Sequence, residues 1–328
     1  MKISILGGGG FLGRKLAARL AEDGAPGCHR ITGLTLFDLA EPPRPAASFP
    51  VTAIAGDIVN LPDDAIPAGT DVVFHLAAVV SAQAEADYDL GRRVNLRGTD
   101  AVIDRCRALV AAGGKPPRVV FTSSVASFSA SQDITLPDNT RQIPGNSYGA
   151  QKAAAELILA DASRRGFLDV ISIRLPTVIV RPGRPNKAAS SFFSAIVREP
   201  LLGLDTELPV PDDFAVWVCS PRRAVDWLLH AAVMDTSKMG LDRSIDPPGI
   251  SITVAHLLQA LEELAPGAAS HVKRVEDPGI AAIVSTWPPA FEALHARTLG
   301  FSAHEPVLEV IRSFIEDDLE ATRTERGL

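Results

Sequence analysis

Cysteine, tyrosine and tryptophan are scarce in this 328-residue chain, which has three Cys, two Tyr and three Trp. Cys28, Cys106 and Cys219 stand far apart and form no C-x-x-C pair, so neither a disulfide framework nor a thiolate metal site is expected. Reduced, buried thiols are the expectation. The seven His residues include no H-E-x-x-H pair, and no metal is expected. Long apolar runs are also missing; nothing approaches the roughly 20 residues that a membrane span needs. The opening MKISILGGGG breaks into glycine before an apolar stretch of signal-peptide length has formed. A soluble, cytoplasmic protein with no membrane partner is therefore expected. Basic charge is in deficit, with 32 Lys+Arg against 39 Asp+Glu and a net charge of −7, and no basic cluster stands out. Such a chain is not expected to bind nucleic acid or an anionic surface. Internal repeats and low-complexity tracts are absent as well.

What is present is an apolar-rich chain, 46% hydrophobic, able to bury a large core. Short apolar runs alternate with helical patterns through the first half. KISIL, LTLFDL, VTAIAGDI, DVVFHLAA, RVVFTSS and DVISIRL read as six strands. FLGRKLAARLAEDG has helical spacing and a Gly stop, and a long helical region runs from Glu85 through RGTDAVIDRCRALVAAGG. SYGAQKAAAELILADASRRG is another helix. Strands that are apolar throughout and alternate with helices imply a parallel sheet covered on both faces. Beyond Thr177 prolines multiply. SPRRAVDWLLHAAV opens with a Ser cap and Pro at its first turn, SITVAHLLQALEELAPG and EPVLEVIRSFIEDDLEA are amphipathic, and the final TRTERGL is expected to fray.

The stretch ISILGGGGFLGRKLA joins the first strand to the first helix, with Gly7, Gly10 and Gly13 at G-x-x-G-x-x-G spacing around Phe11 and Leu12. A sharp turn of bare backbone leading into a helix N-terminus suits a pyrophosphate, which the free N–H groups and positive dipole end attract. Asp38, at the end of the second strand, can accept hydrogen bonds from the adenosine ribose hydroxyls and would repel a 2′-phosphate. NAD is thus expected over NADP, with Arg44 nearby as a moderating charge. Gly56, Asp57 and Ile58 follow the third strand, where they suit contact with the adenine. The expected fold is α/β: a Rossmann doubly wound parallel sheet with helices on both faces and a smaller C-terminal substrate-binding lobe. The expected division is 1–177 as the NAD-binding domain and 178–328 mainly as the substrate lobe, with elements around 215–250 returning to the sheet.

Taken in order, GGGGFLG, GDI, FHLAA, RVNLRGT, FTSS and SYGAQK resemble the extended short-chain dehydrogenases/reductases, to about residue 180. The resemblance implies a catalytic set of Ser124, Tyr148 and Lys152. Ser123 is the competing serine, but Ser124 holds the third polar position after Phe121 and matches better. Leu76, Ala77, Ala78, Asn95 and Pro176 are implied to lie along the cofactor, together with Tyr148 and Lys152. Oxidising an alcohol takes a hydride acceptor, here NAD, and a base for the hydroxyl proton. Free Tyr, with a pKa of about 10, is a poor base near neutrality. On a helix, positions i and i+4 share a face. Lys152 is therefore expected to set its ammonium beside the Tyr148 oxygen and, with the positive nicotinamide, to pull the phenol down. Ser124 would orient the reacting oxygen.

A narrower resemblance rests on FHLAAVVSAQAEADYDLGRRVNLRGT, RLPTVIVRPGRPNKAASSFFSAIVREPL and PVPDDFAVWVCSPRRAV. These look like the branch of the family that oxidises D-erythronate, a four-carbon sugar acid, at C2 with NAD. The alternatives on the same fold are a sugar-nucleotide epimerase or dehydratase and a carbonyl reductase. Sugar-nucleotide enzymes commonly carry Arg-Asp where this chain has Ala215 and Val216, which argues for a smaller substrate. Ser124, Tyr148, Thr177, Asn186, Ser190 and Ser191 are the expected substrate-facing residues. Asn186, Ser190 and Ser191 open a helix whose N–H groups could bind a carboxylate, or they serve only as caps. Arg222 and Arg223 read as a solvated helix face or as a carboxylate clamp. The resemblance also implies a homodimer joined through helices near residues 90–110 and 150–165.

Overall fold

The computed structural model describes residues 1–184, 188–302 and 305–328, so Asn186 lies outside the described residues. Strands β1 (Lys2–Leu6), β2 (Gly33–Asp38), β3 (Val51–Ala55), β4 (Val72–His75) and β5 (Arg118–Ser124) come first. They are followed by β6 (Thr135–Leu136), β7 (Asp169–Leu175), β8 (Thr177–Val178), β9 (Thr206–Leu208) and β10 (Ala215–Cys219). The last are β11 (Ser244–Ile245), β12 (Ile250–Thr253), β13 (Val272–Arg274) and β14 (Ala290–Phe291). The helices are α1 (Phe11–Asp23), α2 (Ser81–Ala86), α3 (Tyr88–Arg92), α4 (Gly98–Ala111), α5 (Ser147–Arg164) and α6 (Ser191–Leu201). They continue with α7 (Pro221–Val233), α8 (Val254–Leu264), α9 (Pro278–Val284), α10 (Leu294–Thr298), α11 (Val307–Asp317) and α12 (Leu319–Arg326).

Seven strands form one parallel sheet in the order β11-β7-β5-β4-β1-β2-β3. The fold is α/β, with the six expected strands and a seventh, β11, that two residues were too short to announce. β4 is buried along its whole length and β7 everywhere but its first residue, while edge strand β3 is half open. That difference is why the central strands read as unbroken apolar runs. The chain runs outward from β1 through β2 to β3, then crosses back to β4 on the other side of β1. This reversal opens a crevice at the C-terminal ends of β1 and β4.

Helix α1 buries Gly13, Leu16, Ala17 and Leu20, one face at 3.6-residue spacing. Burying Leu16 and Leu20 contributes about 1.5–3 kcal/mol each. Their cluster includes Trp227, Leu228 and Ala231 of α7, which covers the same side of the sheet. As its sequence implied, α7 starts with Ser220 Oγ accepting from the Arg223 N–H at 3.0 Å and Pro221 in its first turn. On the opposite side, Val102 and Cys106 of α4 pack with Ala155 and Leu159 of α5. A separate cluster holds the C-terminal body, where Phe192 and Phe193 of α6 meet Leu257 and Leu261 of α8 and Phe314 of α11. Its sheet, β12-β10-β8, begins where the chain leaves β7 at Pro176.

Three local expectations are corrected. The long helical region after Glu85 is broken: Asp87 caps α3 by accepting the Leu90 N–H at 2.9 Å, and Arg93–Arg97 form a π turn before α4. In SITVAHLL the first residues are strand β12, and Thr253 caps α8 from the His256 N–H at 3.2 Å. TRTERGL does not fray before Gly327; α12 runs to Arg326, whose guanidinium pairs with Glu199, and buries Thr322. No helix among the described residues is long and apolar enough to cross a membrane.

Helix α5 presses on the turn after β5. A Cβ on Gly149 would lie 1.8 Å from the Ala126 carbonyl oxygen, so only glycine permits this approach. Gly149→Ala is expected to lower unfolding stability in urea by about 1–3 kcal/mol, an overpacking penalty. Ala150→Gly, at the exposed next position, is expected to cost no more than about 1 kcal/mol. Equal effects of the two would mean that the contact does not constrain the helix.

Candidate active site

The glycine loop comes close to the start of the segment after β4. Gly7, at φ 92°, and Gly8 both donate to the Phe37 carbonyl, at 2.8 and 3.0 Å. A Cβ on Gly7 would meet Ala77 N at 2.7 Å, and one on Gly13 would meet the Gly7 carbonyl at 2.1 Å. These contacts exclude any side chain. Gly10 stands at the N-cap of α1 and supplies no side-chain cap, so no side chain closes the donor end of this helix. Asp38 sits beside the loop and accepts from the Gly9 N–H at 2.9 Å and the Leu39 N–H at 2.7 Å. An uncapped helix start, a loop that tolerates no Cβ and a fixed carboxylate at the end of β2 fit a dinucleotide with free ribose hydroxyls. Arg44 pairs with Glu41 at 2.9 Å.

A cavity of about 310 Å³ extends from this loop toward the C-terminal body. Gly7, Gly10, Phe11, Leu12 and Gly13 line one end, and Leu76, Ala78 and Pro176 line its walls. Ser124, Tyr148, Lys152, Thr177 and Ser190 line it too. Ala77 lies behind the wall, against Gly7. Asn95 is committed elsewhere: its Oδ1 accepts the Val79 N–H at 2.8 Å and its Nδ2 donates to Val79 O and Gln151 Oε1. It holds the β4–α2 segment in place rather than lining the cavity. Asp57 accepts from Arg93 at 2.6 Å and from the Val59 N–H at 3.1 Å, and Ile58 packs into the core beside Gly98. Ser191 is the first residue of α6 and is not among the cavity residues.

Helix α5 starts with Asn146 Oδ1 accepting the Gly149 N–H at 2.8 Å. That cap sets Tyr148 in the first turn, where it lines the same cavity as Ser124 at the end of β5. Ser123, the competing serine, instead donates to Glu156. Burial pushes the Tyr148 hydroxyl up to about 12, against the opposing pull of Arg181 and Ser124. The expectation that Lys152 lowers it directly is corrected. The Lys152 ammonium donates to Thr122 O at 2.7 Å and lies 4.5 Å from the Phe121 ring and 5.7 Å from the Tyr148 ring. Burial pulls Lys152 down to about 7, while Glu156 raises it. His75, of FHLAA, is buried, hydrogen-bonded to Thr99 at 3.0 Å and pushed down to about 3, so it stays neutral.

Several expectations about other side chains resolve here. Arg222 pairs with Glu316 and Asp317, and Arg223 donates to Ser302 at 2.7 Å, so the pair is no carboxylate clamp. Cys106 and Cys219 are buried thiols that burial shifts upward, but Cys28 is exposed. No cluster of metal-ligating side chains occurs among the described residues. Arg181 and Trp287 are among the cavity residues that escaped the sequence reading. Arg181 follows β8 in the loop where only Asn and Ser had been weighed, and Trp287 belongs to a turn far along the chain with no motif around it.

The family described as NAD dependent epimerase/dehydratase matches residues 3–218, and the chain belongs to that family. The D-erythronate dehydrogenase of Cupriavidus necator is 43% identical to it, over 97% of this chain and 98% of that protein. That of Haemophilus influenzae is 38% identical, over 97% of this chain and all of that protein. The crystal structure of a nucleoside-diphosphate-sugar epimerase from Agrobacterium tumefaciens superposes with a TM-score of 0.91 at 45% identity, covering 98% of this chain and 95% of that one. The protein is an NAD-dependent oxidoreductase.

The depressed Lys152 makes a pH-dependent contribution of known sign. Between about 7, its folded value, and 10.5, its ordinary one, the folded chain binds fewer protons here than the unfolded chain. Stability from this group is complete above 10.5 and is lost as pH falls through about 7. Lys152→Met, which cannot be protonated, is expected to gain stability relative to the parent as pH is lowered across that window. Urea unfolding of both proteins at a series of pH values checks this; a constant difference would contradict it.

Proposed function

We propose that the protein oxidises D-erythronate at C2 to 2-oxo-D-erythronate with NAD, using Ser124, Tyr148 and Lys152. The observation that carries this reading is that Ser124, Tyr148 and Lys152 line the same cavity that the glycine loop and the start of α1 close. The near full-length likeness to two D-erythronate dehydrogenases supports the choice of substrate. NAD, when bound, supplies the hydride acceptor. Tyr148 takes the proton of the C2 hydroxyl, Ser124 holds that oxygen in line, and Lys152 supplies a buried positive charge beside the tyrosine ring. In the same reading Gly7, Gly10, Phe11, Leu12 and Gly13 hold the pyrophosphate, Asp38 the adenosine ribose, and Leu76, Ala78 and Pro176 flank the cofactor. Thr177 and Ser190 face the substrate.

A sugar-nucleotide epimerase, the activity in the name of the Agrobacterium relative, is the rival. Among the described residues, Lys152 and Arg181 are the only basic side chains lining the cavity, which is sparse for a nucleoside diphosphate beside a dinucleotide. The Ala215 N–H is bonded to Gln132 at 3.2 Å, and β10 is flanked by β8 and β12, so no basic anchor enters from that strand. The test is NADH formation from D-erythronate, other four-carbon acids and sugar nucleotides. Turnover of a sugar nucleotide alone would reverse the choice. Tyr148→Phe is expected to lower kcat by about 100- to 10,000-fold, the usual value of a positioned base, with NAD affinity within about threefold of the parent. Near-parental turnover would remove Tyr148 from its role.

The proposal includes a homodimer. Leu157 on α5 and Tyr88 on α3 are 70% and 57% exposed, and Ile158 is 36% exposed. Water-facing apolar side chains on neighbouring helices favour a second copy as partner. Leu157→Glu is expected to shift the mass measured by light scattering from dimer to monomer; an unchanged mass would place the contact elsewhere.

A further inference from the structure

Arg181 is set apart from the other arginines of the chain. Among the described residues, Arg118, Arg174, Arg198 and Arg243 are largely or wholly buried, and each has a carboxylate within 4.0 Å. Arg181 has none. Acidic groups that could have served it are engaged by others: Glu199 by Arg198 and Arg326, Glu156 by Arg174, and Glu305 by the Ser220 N–H at 3.0 Å. The remaining arginines without such a partner are exposed to water. Arg181 lines the cavity instead, and burial lowers its pKa.

Its position is nonetheless firmly built. Its backbone N–H donates to Ser194 Oγ at 3.0 Å, and its carbonyl accepts from Arg198 at 2.7 Å. Nε donates to Val178 O at 3.0 Å and Nη2 to Ser190 Oγ at 3.2 Å. Among the described residues Nη1 has no partner. A partly buried cation held this way lacks a counter-ion, and a planar guanidinium matches a carboxylate. Tyr148 is near enough for its charge to act on Arg181, and the reverse. Trp287 lines the same cavity.

We propose that Arg181 binds the carboxylate of the substrate. The inference rests on the reading above that the substrate is a hydroxy acid, and it adds how that acid is held. In a 2-hydroxy acid the carboxylate carbon is bonded directly to C2. An anchor beside Tyr148 therefore brings the C2 hydroxyl to the base and leaves the C3 and C4 hydroxyls further away. Arg181 thus selects acids over neutral polyols and selects which carbon is oxidised.

The experiment uses the full chain and its Arg181→Met and Arg181→Lys variants, with NAD for turnover and NADH for the binding measurement. For the parent, 2-hydroxy-2-methylpropanoate has no hydrogen on C2 and cannot be oxidised; it should inhibit competitively against D-erythronate, and its primary amide should not. In Arg181→Met the KM for D-erythronate should rise by about 30-fold or more, the loss typical of removing one partner of a buried charge pair. NADH affinity, read by fluorescence, should stay within about threefold, and Arg181→Lys should recover part of the KM. If the parent oxidises D-erythronate while Arg181→Met keeps the parental KM, or if amide and acid inhibit alike, the inference fails and the function stands. If the parent oxidises no hydroxy acid at all, both fall.

Discussion

Helix α5 turns Lys152 and Glu156 toward the sheet, at positions where a helix of this kind ordinarily carries apolar side chains. Both are almost completely buried, and the structure around them satisfies that charge. Glu156 accepts from Arg174 at 2.9 and 3.0 Å, from Gln142 at 3.1 Å and from Ser123. Arg174 reaches on to Asp246 at 3.0 Å, and burial pushes that carboxyl up to about 7. A buried ion loses several kcal/mol of hydration and is tolerated only when its partners are in place. The network therefore ties α5, β5, β7 and the segment after β11 into one arrangement. The Ser123 hydroxyl is committed to this network, and Ser124 beside it lines the cavity.

The backbone reinforces the same arrangement. Gly149 lets α5 touch the turn after β5, and Asn146 caps the helix so that Tyr148 falls in its first turn. One turn further, Lys152 is drawn to the Thr122 carbonyl. Two consecutive turns of one helix thus read the end of one strand, and neither position depends on a flexible loop. The glycine loop reaches the cavity from the other side of the crevice, where its close approach to Ala77 fixes the distance between β1 and β4. Sheet topology brings the two halves together, since both lie at strand C-termini around the point where strand order reverses.

The C-terminal body contributes differently. Its own cluster of Phe192, Phe193, Leu257 and Phe314 folds around β8 and α6, and only the inner margin of these elements faces the cavity. There the chain places Thr177, Arg181 and Ser190, with Trp287 from a later turn. The sheet side of the cavity supplies hydroxyls, a lysine and bare backbone, and the far side supplies an arginine and an indole ring. One side is suited to a dinucleotide and a proton transfer, and the other to a small polar ligand.

Local pattern determined a good deal by itself. Six strands, the G-x-x-G-x-x-G turn and the Tyr148–Lys152 spacing are all short-range signals, carried by neighbouring residues whose backbone geometry is the same wherever they occur. The Ser220 cap and the Asp38 strand end belong with them. Tertiary structure decided what each polar group touches. Nothing near Ser123 in the chain indicates Glu156, nothing near Asn95 indicates Val79 and Gln151, and Lys152 chose a carbonyl thirty residues away over the phenol on its own helix. Arg181 stood in plain view in RPGRPN, yet an arginine gains its meaning from the carboxylates around it. Their absence is a property of three dimensions, set by where Glu156, Glu199 and Glu305 found other partners.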